Sequence, residues 1–104
     1  MTTKFSYLYL TCDDKQKKQI AKNLLEKRLI ACAKFVPVDA MYWWQGKIEE
    51  ASEALLLMEA PTANFAAIEA EVAKIHEYDT FVLTQVPMTD INDDAKSWIE
   101  KETT

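Results

Sequence analysis

The sequence predicts an α+β domain with the element order β-α-β-β-α-β, in which two helices cover one face of a four-stranded antiparallel sheet. Three observations predict it: segments with strand-like alternation, two apolar stripes at helical spacing, and a long β-branched and aromatic stretch that turns at the single glycine, Gly46. The 104 residues fit one domain, residues 1–104.

The first strand, residues 4–12, and the first helix, about residues 14–29, follow from their patterns. KFSYLYLTC alternates aromatic with aliphatic residues, which predicts a central strand covered on both faces. Asp13 is expected to cap the helix, with Gln16 as its reciprocal capping-box partner. One side of the helix is apolar and contains Ile20, Ala21, Leu24, Leu25 and Leu29.

The middle of the chain predicts a long β-hairpin. Residues 31–44, ACAKFVPVDAMYWW, form one arm, and residues 47–60, KIEEASEALLLMEA, follow the pair Gln45-Gly46. The glycine supplies the positive φ that a tight turn needs. Pro37 cannot donate a ladder hydrogen bond, so the first arm is predicted to be an edge strand or to carry a bulge. The LLLM run predicts a second arm that is buried on both faces.

The last part of the chain predicts a helix, a strand and a short helix. Pro61 and Thr62 open the second helix, which ends near His76 and has an apolar seam. Residues 78–87 predict the fourth strand, and Asp90 is expected to cap a short C-terminal helix. Right-handed crossovers then give the ferredoxin-like fold with the strand order 4-1-3-2.

The hairpin is predicted to project beyond its own domain. The arm from residue 31 to residue 44 would span about 45 Å, whereas a domain of this size has a diameter near 35 Å. We expect other copies of the chain to cover the apolar tip, because its rings would otherwise remain in water. The alternative is a bend at Pro37 that folds the tip onto its own core. The tip residues are Met41, Tyr42, Trp43 and Trp44.

Composition excludes several classes of protein. The net charge of -5 argues against nucleic acid as a partner, and no apolar stretch approaches the roughly 18 residues of a membrane span. The N-terminal segment does not resemble a secretory signal, so we expect a cytoplasmic protein. Two cysteines are too few for a disulfide framework.

The residues resemble the CutA divalent-cation tolerance proteins from about Phe5 to Trp98. The resemblance depends on LLEKRLIACAKFVP (24–37), YWWQGKIEE (42–50) with Glu53, His76 with Tyr78, and Val86-Pro87 followed by Trp98. It implies a non-enzymatic homotrimer that is associated with copper or other divalent cations and needs no fixed cofactor. It also implies a trimer similar to that of the PII-type signal transducers.

The sequence departs from the family pattern around the family's cleft, where we expect Tyr78 and Glu59. The family commonly has His-Pro-Tyr-Glu-x-Pro-Glu, whereas residues 76–82 read HEYDTFV. The departures are Glu77, Phe81 and Val82 in that segment, Glu59 for a usual lysine after strand three, and Ile91 and Ala95 for a glycine and a tyrosine. The resemblance therefore implies that ligand binding in this cleft is altered or lost.

Cys12, Cys32 and His76 are the predicted metal ligands, because Cu(I) prefers sulfur and accepts imidazole. The two cysteines are expected on one rim of the sheet, about 9.5 Å apart and therefore too far for a disulfide. The alternatives are that the cysteines are small apolar core residues and that His76 favours a helix C-terminus. No sequence context assembles a nucleophile, base and oxyanion hole, which argues against an enzyme.

Three functions remain open from the sequence. The chain is predicted to be a metal-handling trimer of the CutA type, a PII-like sensor that binds a small molecule between subunits, or a scaffold whose function is the trimer itself.

Overall fold

In the computed structural model, which describes residues 4–103, the chain forms a four-stranded antiparallel sheet with three α-helices. The strands are β1 (Phe5–Cys12), β2 (Cys32–Trp44), β3 (Lys47–Pro61) and β4 (Leu83–Pro87), and the helices are α1 (Lys17–Glu26), α2 (Phe65–Ile75) and α3 (Asp93–Glu102). Short 3-10 turns over Asp14–Gln16 and Thr62–Asn64 lead into α1 and α2. The sheet order is β2-β3-β1-β4, which confirms the predicted ferredoxin-like topology.

The main core lies between the sheet and the helices α1 and α2. Its fully buried residues come from alternate positions of β1 and β3 and from one stripe of each helix, and they include Leu8, Leu10, Cys12, Leu56, Met58, Ile20, Leu24, Ile68 and Val72. A smaller cluster on the opposite face joins Phe5, Met88 and Ile99 of α3. Tyr9 on that face is 40 % exposed. Within one subunit, β1 is therefore covered on both faces only at its first residues and not along its whole length as predicted, because α3 is only ten residues long.

The start and end of α1 differ from the prediction. Asp13 does cap the first turn, since its Oδ1 accepts a hydrogen bond from the Lys15 backbone N–H at 2.9 Å. Gln16 is not its capping-box partner: the side chain donates to the Ile75 carbonyl at 2.8 Å and accepts from the Glu77 N–H at 3.0 Å. Gln16 thereby satisfies a carbonyl that the end of α2 leaves without a helical partner. The helix stops at Glu26, and Arg28 has a φ of 59°, so residues 27–29 are not helical.

Two elements near the C-terminus are shorter than predicted. β4 begins at Leu83, where pairing with β1 begins, and residues 78–82 form a loop. Asn92, not Asp90, occupies the N-cap position of α3.

The hairpin is straight and overhangs the rest of the sheet. Gln45 and Gly46 have φ values of 50° and 79°, as in the type I′ turn that closes a two-residue hairpin. The pairing of β2 with β3 runs without interruption from the sheet to Trp44, and Pro37 lies on the edge strand without a bulge. The predicted overhang is confirmed, because β1 ends opposite Ala54 while the hairpin continues to Trp44. The alternative, a bend that folds the tip onto its own core, is wrong, because the molecule is 45 Å long but only 27 and 22 Å across.

Candidate functional site

The two cysteines lie at opposite ends of the sheet, so the prediction that they share a rim is wrong. Cys12 pairs with Ala54 and Cys32 pairs with Glu59, both on β3. Those two partners are about 16 Å apart along the strand at about 3.3 Å per residue. The reason is topological: β1 and β2 run parallel, so the crossover through α1 returns the chain to the opposite end of the sheet.

The surroundings of the two thiols also differ. Cys12 is completely buried, and burial, followed by the charges of Asp13 and Glu53, raises its pKa to about 11. A thiol of that kind is protonated at neutral pH and packs as a small apolar group. Cys32 is partly exposed and its Sγ lies 3.5 Å from the Lys34 Nζ. Cys32 is therefore the more accessible of the two sulfurs.

His76 holds two segments of the chain together. Its Nε2 lies 2.9 Å from the Thr11 carbonyl, and its Nδ1 accepts the Tyr78 backbone N–H at 3.1 Å, so Nε2 carries the proton and donates. The ring also stacks on Phe81 with a centroid separation of 5.3 Å. Both ring nitrogens are occupied, which favours a structural role for His76.

The structure does not bring the three predicted metal ligands together within one subunit. His76 lies beside the end of β1 that carries Cys12, and Cys32 is at the far end of β3. Within residues 4–103, no group of three or more His, Cys, Asp or Glu side chains is placed to hold a metal ion. A copper ion bound by Cys12, Cys32 and His76 of the same subunit is incompatible with this arrangement.

The two predicted cleft residues are likewise separated. Glu59 lies within β3, not after it, and its carboxylate forms an ion pair with Lys34, which raises the pKa of that lysine. Tyr78 lies beside the middle of β3, six residues from Glu59, where its hydroxyl donates to Glu53 Oε2 at 2.5 Å. Tyr78 and Glu59 therefore do not line one cleft within a subunit.

A groove lies between the overhanging hairpin and the loop of residues 76–82, and we call it the hairpin groove. Its volume is about 580 Å³, which falls within the usual size of small-molecule sites. Its walls include the rings of Tyr42, Trp44, Tyr78 and Phe81. Its acidic groups are Glu53, Glu77 and Asp79. The groove exists because β3 continues past the end of β1, and the loop before β4 fills part of the space beside it.

Glu53 and Tyr78 form the polar centre of the hairpin groove. Glu53 is 7 % exposed, although it is a charged residue on a strand that overhangs the sheet. Burial, followed by the hydrogen bond to Glu53, raises the pKa of Tyr78 far above its ordinary value, so the phenol keeps its proton and remains a donor. Sequence reasoning named both residues but did not place them together, because no local pattern links position 53 to position 78.

The tip of the hairpin carries the largest exposed rings. Met41 is 67 % exposed and Trp43 is 72 % exposed, while Tyr42 and Trp44 are each about two-fifths exposed. Neighbouring side chains of a strand point to opposite faces. Tyr42, Trp43 and Trp44 all contribute to the lining of the hairpin groove, whereas Met41 does not. The exposed rings agree with the predicted tip, whereas its contact with other copies stays a prediction.

A ferredoxin-like subunit with an overhanging, aromatic hairpin defines a distinct class of small α+β proteins. The sequence model of the CutA1 divalent ion tolerance protein family matches residues 6–102, and the chain belongs to that family. The resemblance inferred from the sequence motifs is therefore confirmed.

Relatives from two archaea support this assignment. The divalent-cation tolerance proteins CutA of Archaeoglobus fulgidus and Pyrococcus horikoshii are each 32 % identical over 97 residues, covering 92 % of this chain and 95 % of theirs. A solved structure of the A. fulgidus protein, described as a periplasmic divalent cation tolerance protein, superimposes with a TM-score of 0.93 at 31 % identity. That match covers 96 % of this chain and 99 % of the other. Within residues 4–103, no helix is long and apolar enough to cross a membrane.

Proposed function

We propose that this protein acts in divalent-cation tolerance as a homotrimer without catalytic activity. The relatives named above are called tolerance proteins, which supports the role. The observation that carries the assembly is the overhanging hairpin with its exposed rings. That exposure favours association between copies, and the number three is what the family resemblance implies.

The apolar surface extends from the tip onto the open face of the sheet. Tyr9 is 40 % exposed and Val36 is 42 % exposed, and both lie on the face opposite α1 and α2. Leu55 and Leu57, which lie beside them on β3, are only partly buried. A patch of this kind, continuous with an edge strand, favours burial against another copy of the chain.

The molar mass in solution tests the assembly. Three chains of 12.0 kDa each make a particle of 36 kDa, which light scattering after gel filtration separates clearly from a single chain. A particle of 36 kDa supports the proposal, and a stably folded 12.0 kDa particle contradicts it.

We propose copper or another divalent cation as the ion handled, with Cys32 as the sulfur ligand that Cu(I) prefers. Cys32 is the accessible thiol, whereas Cys12 is buried and protonated. A single thiolate does not complete the coordination of copper, so further ligands are needed from Glu59, the cross-strand partner of Cys32, or from a neighbouring copy. A Cu(I) titration tests this: Cys32→Ser should abolish binding, and the matched variant Cys12→Ser should retain it. Equal affinity in the wild type and Cys32→Ser would contradict the thiol ligand.

A PII-like sensor is the second candidate function, and the hairpin groove is the observation that favours it. A thermal-shift screen of small metabolites tests it, because a ligand that binds only the folded state raises the melting temperature. A scaffold trimer is the outcome favoured if neither copper nor any metabolite binds. The cytoplasmic location also remains a proposal, since the A. fulgidus relative is described as periplasmic.

A further inference from the structure

The hairpin groove contains a buried carboxylate with one free oxygen. Glu53 is 7 % exposed, and its Oε2 accepts the Tyr78 hydroxyl. Within residues 4–103, Glu53 forms no ion pair, and its Oε1 accepts no hydrogen bond from the protein. Glu53 lines the groove, and its Oε1 is not fully enclosed by protein atoms. This oxygen therefore faces the groove.

The charge of Glu53 is not balanced by the protein around it. A neutral phenol satisfies one oxygen but leaves a full negative charge in a partly desolvated position, and buried carboxylates are usually paired with a cation. Among the described residues that line the groove there is no lysine, arginine or histidine. Glu77 and Asp79 add further negative charge to its rim. The groove therefore favours a positively charged occupant.

The walls of the groove distinguish between kinds of cation. Calcium takes six or more oxygen ligands and zinc usually four nitrogen, sulfur or oxygen ligands, and the described residues provide no group of three acidic, His or Cys side chains for such an ion. Aromatic faces attract ammonium groups and bury alkyl chains at the same time. Trp44, Tyr42 and Phe81 provide such faces next to Glu53. The combination of one carboxylate with several rings fits an organic cation.

We propose that the hairpin groove binds a primary ammonium ion that carries an apolar chain. The ammonium group donates to Glu53 Oε1, and the chain packs against Trp44 and Phe81. This proposal rests on the second candidate function, the PII-like sensor, because it names the class of ligand for the same groove. The residues of the site belong to one subunit and include neither Cys32 nor any other proposed metal ligand, so the site is independent of the proposed copper binding.

Titration with n-butylammonium, followed by the indole N–H resonance of Trp44, tests the proposal. We expect saturable binding with a Kd on the order of 1 mM, as befits a ligand of few atoms. The neutral alcohol 1-butanol, which has the same number of heavy atoms, should bind at least about tenfold more weakly, because it lacks the charge-assisted hydrogen bond. Glu53→Gln should weaken butylammonium binding by a similar factor. Glu69→Gln, which removes an exposed carboxylate on α2, should have no effect.

Several results would overturn the proposal. Equal affinity for 1-butanol and butylammonium would show that the groove is merely apolar, and unchanged binding by Glu53→Gln would contradict the ion pair. If Glu53→Gln does not fold, the comparison of the two ligands on the wild-type protein decides the matter. Absence of saturable butylammonium binding would also refute the proposal. This includes the result that a neighbouring copy of the chain fills the groove and excludes the ligand. The molar mass of each sample, measured by sedimentation, separates that outcome from a failure of the trimer proposal.

Discussion

Replacement of Trp43 by serine should weaken the assembly without unfolding the subunit. Trp43 is 72 % exposed in the isolated chain, so most of its side chain makes no contact within the subunit. The turn is formed by the positive φ values of Gln45 and Gly46 and not by the Trp43 side chain. An aromatic side chain offers roughly 150–250 Å², so about 110–180 Å² of Trp43 is available to a neighbouring copy. At about 25 cal/mol/Å², its burial contributes about 3–4.5 kcal/mol per subunit, which corresponds to roughly a hundredfold to a thousandfold in a dissociation constant.

Sedimentation velocity over a dilution series measures this effect. We expect Trp43→Ser to dissociate at a concentration at least about a hundredfold higher than the wild type. Leu25→Ser is the matched control, because Leu25 is 40 % exposed on α1, away from the hairpin. Far-ultraviolet circular dichroism verifies that both variants keep their fold. Equal dissociation by wild type and Trp43→Ser would refute the argument that the tip is buried between copies.

Three further predictions concern stability. Leu10→Ala, at a completely buried position, should lower the free energy of unfolding by about 2–5 kcal/mol in urea, and a loss below about 1 kcal/mol would contradict the core described above. Hydrogen bonds from Lys27, Lys74 and then Asn23 lower the pKa of Glu71 from 4.5 to about 2, so this carboxylate stabilises the fold above pH 4.5 and loses that contribution as the pH falls toward 2. Urea titrations should therefore show Glu71→Gln to be less stable than the wild type at pH 7 but not near pH 2, and a difference that persists in acid would argue against the ion pairs. The pKa of Tyr78 is raised above the ordinary 10.0. The contribution of its hydrogen bond to the free energy of unfolding is therefore complete below pH 10.0 and declines above that pH. In urea titrations, Tyr78→Phe should lose less stability above pH 10.0 than the wild type does. An equal loss of stability in both proteins would contradict the buried hydrogen bond.

Much of the fold could be predicted because local and long-range signals agree. The alternation in β1, the stripes of α1 and α2, and the Gln45-Gly46 turn each specify one element, and right-handed connections leave little choice of topology. The edge position of β2 could be predicted because Pro37 has no backbone N–H and cannot donate a hydrogen bond to a neighbouring strand. The hairpin length followed from simple geometry, and the structure confirms it.

The site could not be predicted to the same extent, because it depends on contacts between distant segments. Gln16 has the spacing of a capping-box residue, yet it bonds to Ile75 and Glu77 across the helix pair. Cys12 and Cys32 do not share a rim, because β1 and β2 both run antiparallel to β3 and are therefore parallel to each other. The pairing of Glu53 with Tyr78 depends on how the loop before β4 turns, and nothing in the sequence near either residue specifies that turn.

Hydrogen exchange at the outer edge of β2 tests the central claim most directly, namely that neighbouring copies complete the hairpin. In a two-residue hairpin, the two residues that flank the turn are hydrogen-bonded to each other, and hydrogen-bonded and non-hydrogen-bonded pairs then alternate along the strands. The backbone N–H of Trp44 therefore donates to β3. The backbone N–H groups of Asp39, Met41 and Trp43 point away from β3. In a monomer these three amides face water and exchange rapidly. The account predicts slow exchange of these amides in the wild-type assembly and fast exchange after dilution of Trp43→Ser. Fast exchange of all three in the concentrated wild-type protein would contradict it.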